Sequence, residues 1–174
     1  MTQFAAFLRG VNVGGVNLKM AEVAAALSDA GFSNVRTVLA TGNVLLESKS
    51  GSDTPAAVRK KCEAALRKRF GYEAWVLAYD IDTVRAISEA YPFEREVDGY
   101  QSYVTFVTDA KVLDELAALP AGSDEKIAPG TGVIYWQVPK GSTLDSTIGK
   151  TMGKPRYKSS TTTRNLRTLA KVLQ

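Results

Sequence analysis

The order of strand and helix signals in the first 80 residues restricts the fold more than any other feature of the chain. Residues 3–9 (QFAAFLR) are nearly all apolar, as in a central strand covered on both faces. The loop GVNVGGVN (10–17) follows, and then Met20, Val23, Ala24 and Leu27 recur at helical spacing. Gly31 followed by Phe32 predicts a left-handed helix stop with an apolar latch. Residues 34–40 and 43–48 are short β-rich runs joined at Thr41-Gly42-Asn43, where Gly and Asn allow a tight turn. Pro55 opens a second helix with Val58, Cys62, Ala65, Leu66 and Phe70 on its inner face, Gly71 closes it, and residues 74–79 (AWVLAY) form a fourth strand. Strand-helix-strand-strand-helix-strand is the order of the split βαβ, or ferredoxin-like, unit.

The second half again reads strand-helix-strand-strand, and the two halves resemble one another in element order. Asp80 predicts an N-cap for a helix carrying Ile81, Val84, Ile87 and Tyr91, which ends at Pro92. Residues 100–108 (YQSYVTFVT) alternate as a strand, and Val112, Leu113, Leu116 and Leu119 mark a helix ended by Pro120. Residues 124–128 and 132–138 read as a hairpin around Pro129-Gly130. A last helix at about 162–173 carries Leu166, Leu169, Ala170 and Leu173 on one face. The expected protein is α+β, with two ferredoxin-like (split βαβ) halves, mainly antiparallel sheets and no true linker. The expected division is 1–80 and 81–174, with the first strand buried on both faces. Between Pro139 and Asn165 lies a 27-residue stretch with ten Ser/Thr and six Lys/Arg, long enough to suggest a functional or mobile loop, with a short helix expected around Leu144–Thr151.

Two residue counts narrow the chemistry. The chain of 174 residues has no histidine and one cysteine. A histidine general base, a Ser-His-Asp or Cys-His pair and a tetrahedral Cys/His zinc site all lack their parts, and an intramolecular disulfide is impossible. The lone Cys62, on the apolar face of its helix, suggests a packed, inert thiol and a reducing, cytoplasmic location. No apolar run approaches the ~18 residues of a membrane span. The N-terminus reads as a first strand and not as a signal peptide, because Arg9 interrupts the apolar run and no basic region precedes it.

Charge is unevenly distributed. Residues 1–139 carry 14 basic and 17 acidic side chains, whereas residues 140–174 carry 8 basic and 1 acidic. A basic tail of this kind suits an anionic partner, and a solvated lysine-rich surface is the plainer alternative. Gly149-Lys150-Thr151 resembles the end of a phosphate-binding loop, but Leu144 stands where that motif needs glycine. RNA recognition by a ferredoxin-like sheet needs aromatics on the third strand, and here that strand is NVLLES.

The candidate site follows from the topology. In a split βαβ unit the end of the first strand, the start of the first helix and the second hairpin turn share one sheet edge. Arg9, Asn12, Asn17 and Lys19 are thereby expected near Thr41, Gly42 and Asn43, where helix-start N–H groups and fixed positive charge favour an anion. Glycines that only turn the chain and asparagines that only cap it are the alternative. Arg164 and Asn165 open the last helix, where the dipole disfavours a cation, so a functional role is expected and Arg9 and Arg164 are expected to face one pocket. Pairing with carboxylates such as Glu47 or Asp80 is the structural alternative. Arg167 and Lys171 fit a solvated basic face.

The stretches FLRGVNVGG (7–15), LKMAEVAAALSDAGFSNVRT (18–37), TGNVLLES (41–48) and TTRN (162–165) resemble the domain-of-unknown-function 1697 family of uncharacterised bacterial proteins. Thr41 stands where the family's turn usually has Ser, which keeps the hydroxyl, and Leu166 where it often has Trp. The resemblance implies an α+β protein with ferredoxin-like halves and no established activity.

The residues specify no cofactor and no metal-ligand set. They point to a protein that binds a phosphate- or carboxylate-bearing ligand, or a nucleic-acid phosphate, through Arg9, Asn12, Lys19, Thr41, Asn43, Arg164 and Asn165. The alternatives are an enzyme acting on phosphate esters with a metal from solution, and a protein-interaction module that dimerises. The oligomeric state is not legible.

Overall fold

The computed structural model describes residues 2–9, 17–49, 51 and 53–174. The first sheet contains β1 (Thr2–Leu8), β2 (Ser33–Val38), β3 (Asn43–Ser48) and β4 (Val76–Asp80), in the order β2-β3-β1-β4 with antiparallel neighbours. Helices α1 (Met20–Asp29) and α2 (Pro55–Phe70) provide its crossovers. After α3 (Ile81–Glu89) the pattern recurs. β5 (Tyr100–Val107), α4 (Ala110–Ala117), β6 (Lys126–Gly130), β7 (Val133–Pro139), α5 (Thr147–Met152) and β8 (Thr161–Asn165) lead into α6 (Leu166–Val172). The second sheet has the order β6-β7-β5-β8, again with antiparallel neighbours. With β5 to β8 read as β1 to β4, the two sheets have the same topology, that of an α+β protein with two ferredoxin-like halves. The chain forms two compact units, Met1–Val84 with Lys171–Gln174, and Arg85–Ala170.

Local chemistry explains the helix ends. Thr54 Oγ1 accepts from the Ala57 N–H (3.1 Å), Pro55 fills the first turn of α2, and Gly71 closes it at φ 66° with its N–H donating to the Arg67 carbonyl (2.9 Å). After α1, Gly31 takes φ 106° and Phe32 packs down as the expected latch. Asp80 Oδ1 accepts from the Thr83 N–H (2.8 Å), which caps α3 as the sequence suggests. The four-residue turn Leu39–Gly42 between β2 and β3 bends through left-handed backbone at both ends, φ 60° at Leu39 and 90° at Gly42.

The core of the first unit is one face of its sheet, Phe4, Ala6, Leu8, Val44, Leu46, Val76 and Ala78, packed on Val23, Leu27, Val58, Cys62 and Leu66 of the helices. The other face is buried too: Phe4 is 1% exposed and Phe7 on the opposite side is 0%. The expectation for the first strand is therefore met, and Val44, Leu45 and Leu46 are likewise all buried. The core of the second unit gathers Val107, Leu116, Ile134, Trp136, Val138, Ile148, Met152 and Tyr157. Among the described residues no helix is long and apolar enough to cross a membrane.

Three local expectations change. The segment read as a helix from about 162 contains strand β8, paired with β5 from Tyr103↔Asn165 to Val107↔Thr161. Its run of three threonines, β-branched, suits a pleated ladder better than a first helical turn. Helix α6 starts at Leu166, and Ala170, expected on its inner face, is exposed while Val172 is buried. The second hairpin turns at Thr131-Gly132 (Gly132 φ 70°), two residues after Pro129-Gly130, because Pro129 and Gly130 pair with Ile134 and Val133. The short helix expected around Leu144–Thr151 is α5, which starts three residues later, where Ser146 Oγ accepts from the Gly149 N–H (3.0 Å).

Candidate functional site

The ladder of the first sheet ends in a row of three residues. Phe7 pairs with Asn43 on one side and with Leu77 on the other. One step on, the Leu8 N–H donates to the Gly42 carbonyl (2.8 Å), and the Arg9 N–H donates to the Trp75 carbonyl (3.0 Å). The register thus sets Arg9 opposite Trp75 at the sheet edge, one residue beyond the bond from Leu8 to Gly42. Arg9 is partly buried, and desolvation lowers its guanidinium pKa from the ordinary value. A cation in such a place costs stability unless another group or a ligand compensates it.

The second unit has the same edge with different residues. The Val107 N–H donates to the Gly132 carbonyl (2.9 Å), and the Thr108 N–H donates to the Ser160 carbonyl (2.9 Å). Gly132, Thr108 and Ser160 therefore occupy the places of Gly42, Arg9 and Trp75. The backbone arrangement is satisfied by small hydroxyl residues, so the fold by itself does not call for arginine and tryptophan at this edge.

Asn43 is fully buried, and its Nδ2 donates to the Val38 carbonyl (2.9 Å) and to Thr41 Oγ1 (3.1 Å). The amide shapes the turn and holds the Thr41 hydroxyl in place. Lys19 is the exposed N-cap residue of α1; its carbonyl accepts from the Glu22 and Val23 N–H groups, and its own side chain makes no capping bond. Asn17 is exposed, and Asn12 lies outside the described residues. Glu47 pairs with Gln3 and Asp80 with Phe4, at the far end of the sheet from Arg9. Glu47 accepts from Asn34 Nδ2 (2.8 Å) and Asp80 caps α3, so each of the two carboxylates named in the structural alternative is engaged away from Arg9.

Arg164 and Asn165 belong to the second unit, at the end of β8. Arg164 lies within the strand, one residue before the cap of α6. It is only 8% exposed, and its Nη1 donates to Thr162 Oγ1 and to the Thr163 carbonyl, both at 2.8 Å. The cap is Asn165, whose Oδ1 accepts from the Thr168 N–H (2.8 Å). Arg167 and Lys171 are exposed on α6, as expected of a solvated face.

Trp75 and Arg67 escape the sequence reading. Trp75 is partly exposed, and the guanidinium carbon of Arg67 lies 5.2 Å from the centre of its ring. Arg67 Nη2 also donates to the Ala74 carbonyl (2.9 Å). The available signal was one aromatic at the start of the otherwise aliphatic run AWVLA. Cys62 is completely buried and burial pushes its thiol up to about 12, which makes it a core residue. Among the described residues, no three Asp, Glu or Cys side chains form a group able to hold a metal.

No curated protein matches the chain. Among solved structures, the conserved bacterial protein SP0830 from Streptococcus pneumoniae is similar in fold, with a TM-score of 0.79 at 23% identity over 99% of this chain and 97% of that one. Residues 1–135 match the family described as "Protein of unknown function (DUF1697)", in agreement with the FLRG, TGNV and neighbouring motifs. With most of its length covered by that match, the chain belongs to the DUF1697 family.

Proposed function

We propose that this protein binds a small anionic molecule, bearing phosphate or carboxylate, at the Thr41–Arg9–Trp75 edge of its first unit, in the cytoplasm. The observation that carries the reading is the difference between two equivalent edges. One has a partly desolvated arginine where the other has Thr108. Arginine offers a planar fork of donors suited to phosphate and carboxylate, and the Thr41 hydroxyl and the Lys19 ammonium add a donor and a charge at the same sheet end. The lone, buried Cys62 suits a reducing compartment. The test is equilibrium binding of inorganic phosphate and acetate to the wild-type protein and to Arg9→Thr. The expected result is measurable binding that Arg9→Thr weakens at least about tenfold, a change of ~1.4 kcal/mol. Equal affinity of the two proteins would remove the reading.

A second, nucleic-acid reading has one observation in its favour. Lys140, Lys150, Lys154 and Lys158 are all exposed along one segment of the second unit. Binding through them would fall steeply with salt as counterions are released, and Arg9→Thr would leave it unchanged.

A further inference from the structure

Building on the anion reading above, we propose that the ligand of this edge is a compact aromatic anion, an aryl phosphate or aryl carboxylate, whose ring stacks on Trp75. Large aromatics usually contribute to a fold by being covered, yet Trp75 stays partly exposed at the end of the row. The indole is also held. Arg67, in the last turn of α2, anchors its guanidinium on the Ala74 carbonyl (2.9 Å) and places it 5.2 Å from the ring centre. A ring fixed in this way gives stacking surface with little conformational entropy left to lose on binding.

Arg67 has its own reason to be there, since the C-terminal end of a helix favours a cation and Arg67, Lys68 and Arg69 all occupy it. That reason does not extend to Trp75. In the second unit the equivalent place is taken by Ser160, whose carbonyl makes the same backbone bond. The tryptophan is therefore an addition to the ladder, as Arg9 is.

Spacing sets the size of the ligand. Arg9 and Trp75 are cross-strand neighbours, and adjacent strands lie about 4.8 Å apart. An acid group bonded directly to a ring is compact enough to meet side chains from adjacent strands. Aromatic stacking tolerates many ring types, because each presents a π face. Selectivity would come from the short distance between ring and charge.

The test compares two matched pairs of probes, phenyl phosphate against methyl phosphate and benzoate against acetate. They are titrated into the wild-type protein, Trp75→Leu and Trp75→Phe, with a melting curve for each variant. The expected preference for the aryl member is about tenfold in the wild-type protein. It falls to about one in Trp75→Leu, and Trp75→Phe retains most of it. The two indole N–H signals supply a second readout. Trp136 is buried with its Nε1 bonded to Thr105 Oγ1 (2.9 Å), so only the Trp75 signal should move with aryl ligands. A ratio near one in the wild-type protein, or one that survives in Trp75→Leu, overturns the aromatic proposal and leaves the anion reading intact. If neither phosphate nor carboxylate probes bind the wild-type protein, the anion reading fails and the aromatic proposal fails with it.

Discussion

Arg9 and Thr108 occupy the same position in two copies of one ladder. Each follows the strand at the centre of its sheet, and each donates its backbone N–H to the residue just before the edge strand, Trp75 (3.0 Å) and Ser160 (2.9 Å) respectively. The residues before them repeat the relationship, with Leu8 donating to Gly42 and Val107 to Gly132. The backbone problem is the same in both units and a threonine solves it in one of them. The charge of Arg9 therefore needs a reason outside the ladder.

Replacing Arg9 by the residue the other unit uses separates fold from function. Arg9→Thr should change unfolding free energy by less than about 1 kcal/mol, because removing a partly desolvated charge offsets the loss of its contacts. In a chain of this size that is a shift of roughly 2–4 °C in Tm. Anion affinity should fall at least about tenfold in the same variant. Thermal melts and titration calorimetry on one preparation give both numbers.

Asn43 should behave in the opposite way. Its buried amide holds the Val38 carbonyl and Thr41 Oγ1 inside the β2–β3 turn. Asn43→Ala leaves that buried carbonyl without its donor and should cost about 1–3 kcal/mol in urea unfolding. The cost should be present whether or not an anion is added.

Cys62 supplies a pH test. Its thiol is raised from 9.0 to about 12 by burial, so the folded chain holds the proton more tightly than the unfolded chain does. The contribution is complete below about pH 9 and is lost as pH rises towards 12. Unfolding free energy should therefore fall across that window in the wild-type protein, and fall less in Cys62→Ala. At neutral pH, alkylation of Cys62 should proceed only as fast as the protein opens.

The second unit has a buried chain of side chains that depends on β8 being a strand. Trp136 Nε1 donates to Thr105 Oγ1 (2.9 Å), which in turn meets Thr163 Oγ1 (2.8 Å) on β8. Thr105→Val orphans the indole N–H and should destabilise by about 1–3 kcal/mol. Adding Trp136→Phe should cost less than its single-variant value, because the unpaired donor goes with it. Amide protons of Thr161–Asn165 that bond to β5 should exchange as slowly as those of β7.

Much of the fold was legible in the residues because the strong signals were local and periodic. The apolar run Phe4–Leu8, the Thr54-Pro55 and Gly71 ends of α2 and the Asp80 cap each carry their own reason. β8 was hidden because Thr162, Thr163 and Arg164 look equally suitable for a cap and a strand, and the choice is made by β5, far away in sequence. The turn at Thr131-Gly132 was displaced for a similar reason: Pro129 is tolerated in an edge strand, where its missing N–H breaks no ladder. The site was half legible. Topology alone places the end of β1 beside the β2–β3 turn, but Trp75 joins that edge only through the β1–β4 register, and its pairing with Arg67 depends on how α2 ends against the sheet.

The most direct test of the anion reading compares the two equivalent edges in one experiment. Backbone amide shifts are followed while inorganic phosphate and then phenyl phosphate are titrated into the wild-type protein. The account predicts saturable shifts at Arg9, Thr41, Gly42 and Trp75, with Thr108, Thr131 and Ser160 still. Equal movement at both edges, or none at Arg9 and Thr41, would contradict it.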